Sequence, residues 1–204
     1  MTQSNDTVYS QPVVEFVAVA NEFCQLIESV QEHPTHKLID VGRKLLSLLY
    51  FKASLLPELE PILDDALEKY VNELDYNLLM QKWLNKLGEH DHFYEIFDPE
   101  IQFGTETVTA SISENLLDIY QDTKDFISAY NFGNEEVMND AIAECSSQFR
   151  NVWGQRLVNV LRALHQLYFS DTDWSEKPIH LKTPDDDDLP KGKWVDRFFN
   201  HASE

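Results

Sequence analysis

Cysteine, glycine and positive charge are all scarce in this chain. Only Cys24 and Cys145 occur among 204 residues, too few for a disulfide framework and wrongly spaced for a zinc site. Both fall on apolar helical faces, where cysteine behaves as a small hydrophobe. With 6 glycines and no long alternation of apolar and polar residues, the chain reads as helical. It carries no G-x-S-x-G elbow, no Cys–His signature and no glycine-rich phosphate loop, so nucleophilic catalysis has no sequence support. No apolar run reaches the roughly 18 residues that a membrane span requires. The start, MTQSNDTVYSQP, lacks the positive and apolar regions of a secretory signal. Lys+Arg number 16 against 36 Asp+Glu, a net charge of -20, which repels phosphate backbones and anionic membrane surfaces. The expectation is a cytoplasmic protein with protein partners, no nucleic acid, no membrane and no cofactor, with homodimerisation open.

What is present is helical periodicity. A chain of this length buries roughly 70% of the surface it exposes when unfolded, enough for one sizeable core. QPVVEFVAVANEFCQLIESVQEH places Phe16, Ala20, Phe23, Ile27 and Val30 at helical spacing after a first-turn proline, Pro12. A second helix from His36 ends at Pro57; it is apolar almost all round, which predicts the central position. A third, shorter segment is expected over Glu58–Tyr70. A fourth runs from Asp75, a plausible N-cap, to Gly88. The stretch from Glu89 to Thr107 reads as a loop with one helical turn. Ser111–Tyr130 forms the fifth helix, opened by the S-x-x-E capping pattern of Ser111 and Glu114. Gly133 and Asn134 break the chain before a long sixth helix, Glu135–Phe169. The expected fold is all-α: a single-domain bundle of about six helices over residues 1–169. Residues 170–204 form an irregular, acidic, proline-broken strap, ending in an amphipathic turn (Trp194, Val195, Phe198, Phe199) that could dock on the body.

The fifth helix poses the first chemical question, because Glu114, Asp118, Asp122 and Asp125 lie within three turns. Its apolar residues share an arc of about 120°, and the acids an arc of about 100° almost opposite. A carboxylate rank facing away from the core is a solvated face. The sharper reading is a Mg²⁺ or Mn²⁺ site, since carboxylates one turn apart can share a hard cation. The E-x-x-E and later E-x-x-D pairing of all-α nucleotide pyrophosphohydrolases is absent, however. Glu136, Asp140 and Glu144 on the sixth helix likewise project away from its stripe.

Two cations sit inside apolar stripes. Lys52 falls among Val41, Leu45, Leu48, Leu49, Leu55 and Leu56. Arg156 falls at the centre of Met138, Cys145, Phe149, Val152, Val160 and Leu167. A charge in a core needs a partner or a path to water. One reading is a structural ion pair with a facing carboxylate, such as Glu15 or Asp118. The other is an anion pocket in which Lys52 and Arg156, with Tyr50 or Tyr120 nearby, receive a phosphate or carboxylate ligand. Together with the acidic helix, that pocket would make a metal-dependent nucleotide- or phosphate-processing enzyme, the alternative to an interaction or adaptor domain. Gly154 beside Trp153 permits close approach of a backbone or ring. His90 and His92 lack a third ligand at a recognisable spacing, and Asp91 between them reads as a cap for the following turn.

The segments VVEFVAVANEFC, LLSLLYFKASLLP, ASISENLLDIYQDTKDFI and VMNDAIAECSSQFRNVWGQRLVNVLRALH carry a resemblance. Over roughly residues 8–168 the chain resembles a bacterial family, domain of unknown function 5063, often met in Bacteroidetes. The DIYQD–KDF segment and the WG–LVN–LRALH segment are its more specific marks. The resemblance implies a compact helical domain and supplies no activity, cofactor or catalytic residue.

Overall fold

Pro12 lies in the first turn of helix α1 (Gln11–Glu28), where a missing backbone N–H costs nothing. The computed structural model describes residues 7–95, 108–131, 134–172 and 174. Val13, Phe16, Ala20, Phe23 and Ile27 form the buried stripe of α1. A 3-10 turn (Val30–Glu32) and Pro34 redirect the chain into α2 (Thr35–Ala53). The other helices are α3 (Glu73–Leu87), α4 (Ile112–Tyr130), α5 (Glu135–Gln148) and α6 (Gly154–Tyr168). None of the described helices is long and apolar enough to cross a membrane.

The central helix is α4, not α2. Thirteen of the 19 residues of α4 are buried, and it packs on α1, α3, α5 and α6. Helix α2 sits at the rim, between α1 and α6. It buries Leu38, Ile39, Gly42, Leu46, Leu49 and Ala53. Of the inner stripe expected through Val41, Leu45, Leu48, Leu49, Lys52, Leu55 and Leu56, Leu49 and Leu56 are buried, and Val41 and Leu45 pack partly buried against the core. Leu48 and Leu55 are exposed, as are Tyr50 and Phe51.

No helix forms over Glu58–Tyr70. Residues 57–72 run as an extended connector from α2 to α3. Pro57 and Pro61 remove helical donors and push the residues before them away from the helical region. The N-cap of α3 is Asn72 rather than Asp75: its Oδ1 accepts the Asp75 N–H at 2.9 Å. Gly88, at φ 56°, ends α3 in a conformation that L side chains rarely adopt.

Part of the expected loop is a two-stranded ladder. Strand β1 (His92–Glu95) pairs antiparallel with β2 (Val108–Ser111), His92 opposite Ser111 and Glu95 opposite Val108. Strands of four residues are too short for alternation to announce them; the rest of that loop, 96–107, lies outside the described residues. As the S-x-x-E pattern implies, Ser111 Oγ accepts the Glu114 N–H at 3.0 Å. Asp91 does not cap the turn beside it. Its carboxylate is buried at the start of α4, accepting the Ser113 N–H at 2.8 Å and the Ser111 hydroxyl at 2.6 Å.

The long sixth helix divides into α5 and α6 around one π turn, Phe149–Trp153. That turn holds one residue more than an α turn and shifts the inward stripe by one position. Before it the buried positions include Met138, Ile142 and Cys145; after it they are Trp153, Leu157, Val160 and Leu164. Val152 is thereby exposed and Arg156 moves to the flank. Gly154 fits this turn: a Cβ there would stand 2.3 Å from the Phe149 carbonyl oxygen and 3.0 Å from its ring. The C-terminal strap from 175 onward, with the turn at Trp194–Phe199, lies outside the described residues. Trp174 packs edge-on to His90, ring centroids 5.1 Å apart.

Candidate functional site

The connector covers the C-terminal half of the acidic face of α4, while Glu114 at its start stays exposed. Asp125, only 6% exposed, accepts the backbone N–H groups of Tyr70 at 2.8 Å and Val71 at 3.0 Å through one oxygen. On α5, Asp140 is buried too. Its two oxygens take the N–H groups of Ile62 (2.6 Å) and Leu63 (2.8 Å), while Asn139 donates to the Glu60 carbonyl at 2.8 Å. Lys69 reaches Glu144 at 2.6 Å, and Arg150 reaches Glu58 at 2.8 Å. The expectation that these acids face bulk solvent is thus overturned for Asp125 and Asp140. They supply the acceptors that an extended segment without a sheet partner needs.

Asp122 shares this covered face. Burial, opposed by Lys69 and reinforced by Asp125 and Asp118, pushes its carboxyl up to about 6. Between the connector and the helices, a recess of about 20 Å³ lies among Lys69, Asp122, Asp125, Glu144 and Cys145, room for about one water. Along the connector's other edge runs an open trough of about 600 Å³ beside Arg150 and Asn151, whose arginine is already held by Glu58.

The other expected site residues are distributed, not gathered. Glu114 is exposed at the start of α4. Asp118 receives Arg156 on one oxygen and the Tyr76 hydroxyl, at 2.7 Å, on the other. Lys52 donates to Glu15 at 2.6 Å. Tyr120 donates to Glu28 at 2.9 Å, and Tyr50 packs against the Phe149 ring. Both cations therefore engage the carboxylates that the ion-pair reading names. Among the described residues, no group of three or more His, Cys, Asp or Glu is placed to hold a metal ion. His92 is exposed on β1. Cys24 and Cys145 are free and buried; burial raises the Cys24 thiol to about 12, against a lowering contact from Thr123, and lifts Cys145 well above the ordinary range.

One surface feature escaped the sequence reading. On α2, Leu48 and Phe51 are 41% and 54% exposed, and Leu55, in the turn after the helix ends at Ala53, is 45% exposed. Leu48 and Phe51, three residues apart, lie about 60° apart around the helix, with Lys52 and Glu15 paired beside them. Val14 on α1 and Val152 in the π turn are exposed as well. The signal was in the sequence: a helix apolar all round must be either enclosed or offered to something else.

The crystal structure of protein BF1032 from Bacteroides fragilis, a structural-genomics target, resembles this one at a TM-score of 0.72 and 40% identity. The match covers 81% of this chain and 98% of that one. No curated protein matches, and a metal-dependent nucleotide- or phosphate-processing activity draws no support from these relatives. The model of a family described as a domain of unknown function (DUF5063) matches residues 7–170. An all-α bundle with one short two-stranded ladder among its described residues, this chain belongs to the domain of unknown function 5063 family.

Proposed function

We propose that the protein is a non-enzymatic interaction module of the cytoplasm that docks a segment of a partner protein on the outer ridge of α2. The observation that carries this reading is the exposed row Leu48, Phe51 and Leu55. Anchors at that spacing are how one amphipathic helix meets another, and contiguous exposed apolar surface marks interaction sites. The net charge of -20 speeds long-range encounter with a basic partner, whereas α2 itself carries Lys37, Arg43, Lys44 and Lys52 against Asp40, so the contact itself rests on the apolar row. Two free, buried thiols suit a reducing compartment. Asp118, Asp125 and Asp140 and the cations Lys52 and Arg156 are engaged with one another, with other side chains or with backbone, so this reading rests on the exposed apolar row.

The test is an anisotropy titration with a labelled basic amphipathic peptide bearing aromatic residues at i and i+4. Binding that disappears in Phe51→Asp and Leu55→Asp, with the thermal midpoint unchanged, supports the reading. Equal binding by the wild type and both variants overturns it.

A further inference from the structure

We infer that the trough between the connector and α5 takes an extended, lysine- or arginine-rich segment of a partner protein, which adds as a strand along residues 64–69. This surface is separate from the exposed row on α2, and neither reading depends on the other. Three observations meet there, of which the first is unpaired main chain. Asp125 and Asp140 satisfy the N–H groups of residues 62, 63, 70 and 71. Those from Asp64 to Lys69 find no acceptor among the described residues, and every residue of that stretch except Leu67 is exposed. An extended stretch with unused donors is a template for strand addition.

The second observation is room. The trough holds about 600 Å³, within the size range of ligand-binding clefts. Leu59, Leu63 and Leu67 of the connector and Ala143 of α5 give it apolar lining, and Ser147 and Asn151 give it polar lining. The recess on the connector's other edge, about 20 Å³, admits about one water, so an added chain has this side to enter. The third is charge. The connector carries Glu58, Glu60, Asp64, Asp65 and Glu68 against Lys69, while α5 carries Glu135, Glu136, Asp140 and Glu144 and no cation. Lys69 is held by Glu144 and Arg150 by Glu58. Glu60 and Asp65 therefore line the trough without a cationic partner among the described residues. An extended basic peptide answers all three features together. Its carbonyls meet the connector's N–H groups, and its side chains alternate in direction, so that lysines reach Glu60 and Asp65 while the apolar residues between them rest on the leucines. A small cation would satisfy the acids alone.

The experiment titrates the full chain with a fluorescein-labelled peptide that alternates lysine and valine, read by anisotropy and by amide hydrogen exchange. Expected is saturable binding, with exchange at Asp64–Lys69 slowed about tenfold or more at saturation, since newly bonded amides exchange only on opening. Replacing alternate peptide bonds of the probe by esters removes N–H groups and weakens the carbonyl acceptors, and should lower affinity about tenfold or more. Ser147→Trp adds bulk to the trough from an exposed position and should lower affinity without moving the thermal midpoint. Asp65→Lys, also at an exposed position, tests the charge and should weaken binding as well. Phe51→Asp on α2 should leave it unchanged. The inference is overturned if the peptide fails to bind, if the ester probe binds as well as the amide, or if spermine slows the same amides equally. Binding that survives both Ser147→Trp and Asp65→Lys but is lost in Phe51→Asp would overturn it too, by placing the peptide on the α2 row.

Discussion

Arg156 and Asp118 join α6 to α4 through an ion pair in which both partners keep a face to water, their side chains 41% and 27% exposed. Arg156→Met leaves Asp118 with solvent on one side and the Tyr76 hydroxyl on the other. The expected cost is therefore about 1 kcal/mol or less, as for a surface pair. Urea unfolding measures it; a loss of several kcal/mol would mean that the carboxylate is stranded.

Asp125 should matter far more. Truncation to alanine deprives the Tyr70 and Val71 N–H groups of their acceptor beneath the connector, at an expected cost of about 2–4 kcal/mol. Asp125→Asn keeps an acceptor oxygen and should cost less. Amide hydrogen exchange at Tyr70 and Val71 reads the effect locally: it should accelerate in the alanine variant, and unchanged protection of both amides would refute this assignment.

Asp122 gives stability a pH dependence of definite sign. Its folded carboxyl titrates near 6, above the ordinary value of 3.8, so between those two values the folded state holds a proton that the unfolded chain has released. This contribution is therefore greatest below about pH 4 and is lost as pH rises through 6. Asp122→Asn should stabilise the protein relative to wild type at pH 7 by about 1 kcal/mol, discounted because the group is only half-buried. That advantage should vanish toward pH 4. Paired denaturation curves at the two pH values decide it; an advantage that grew on acidification would contradict the burial of Asp122.

Gly154→Ala tests the π turn. The added methyl carbon would meet the Phe149 carbonyl oxygen at 2.3 Å, a backbone atom that cannot swing aside. A destabilisation of about 2–3 kcal/mol is expected, as for overpacking in a core, although alanine is ordinarily the better helix former. A more stable variant would show that the turn relaxes to α-helix without penalty.

The helices that alternate cleanly in sequence, α1, α3 and α4, were legible because hydrophobic spacing and caps such as Ser111 and Gly88 act locally. Three features were not, each for a physical reason. The connector resembles a short helix in composition, and the acceptors that hold it extended lie some 55 to 78 residues away, at Asp125 and Asp140. The π turn adds one residue to a helical period, so projection at 3.6 residues per turn puts Val152 and Arg156 in the core, where Trp153 and Leu157 actually sit. The acids of α4 lie opposite its greasy side, as projected. A central helix has neighbours on more than one side, however, and opposite to the core does not mean open to water. The partners Glu15 and Asp118 could be named beforehand because each was an acid on a facing helix.

Asp125 and Asp140 grip the connector by its main chain and take no account of its side chains. The exposed residues 62 and 70 can therefore be exchanged for many amino acids without loosening their bonds, provided that each keeps an amide hydrogen, whereas Val71 is also held by its buried side chain. Proline is the exception, and Ile62→Pro or Tyr70→Pro would undo locally what two carboxylates do together. The acids thus play the part of a neighbouring β-strand, giving an unpaired stretch of polypeptide a hydrogen-bonded bed that is indifferent to its spelling.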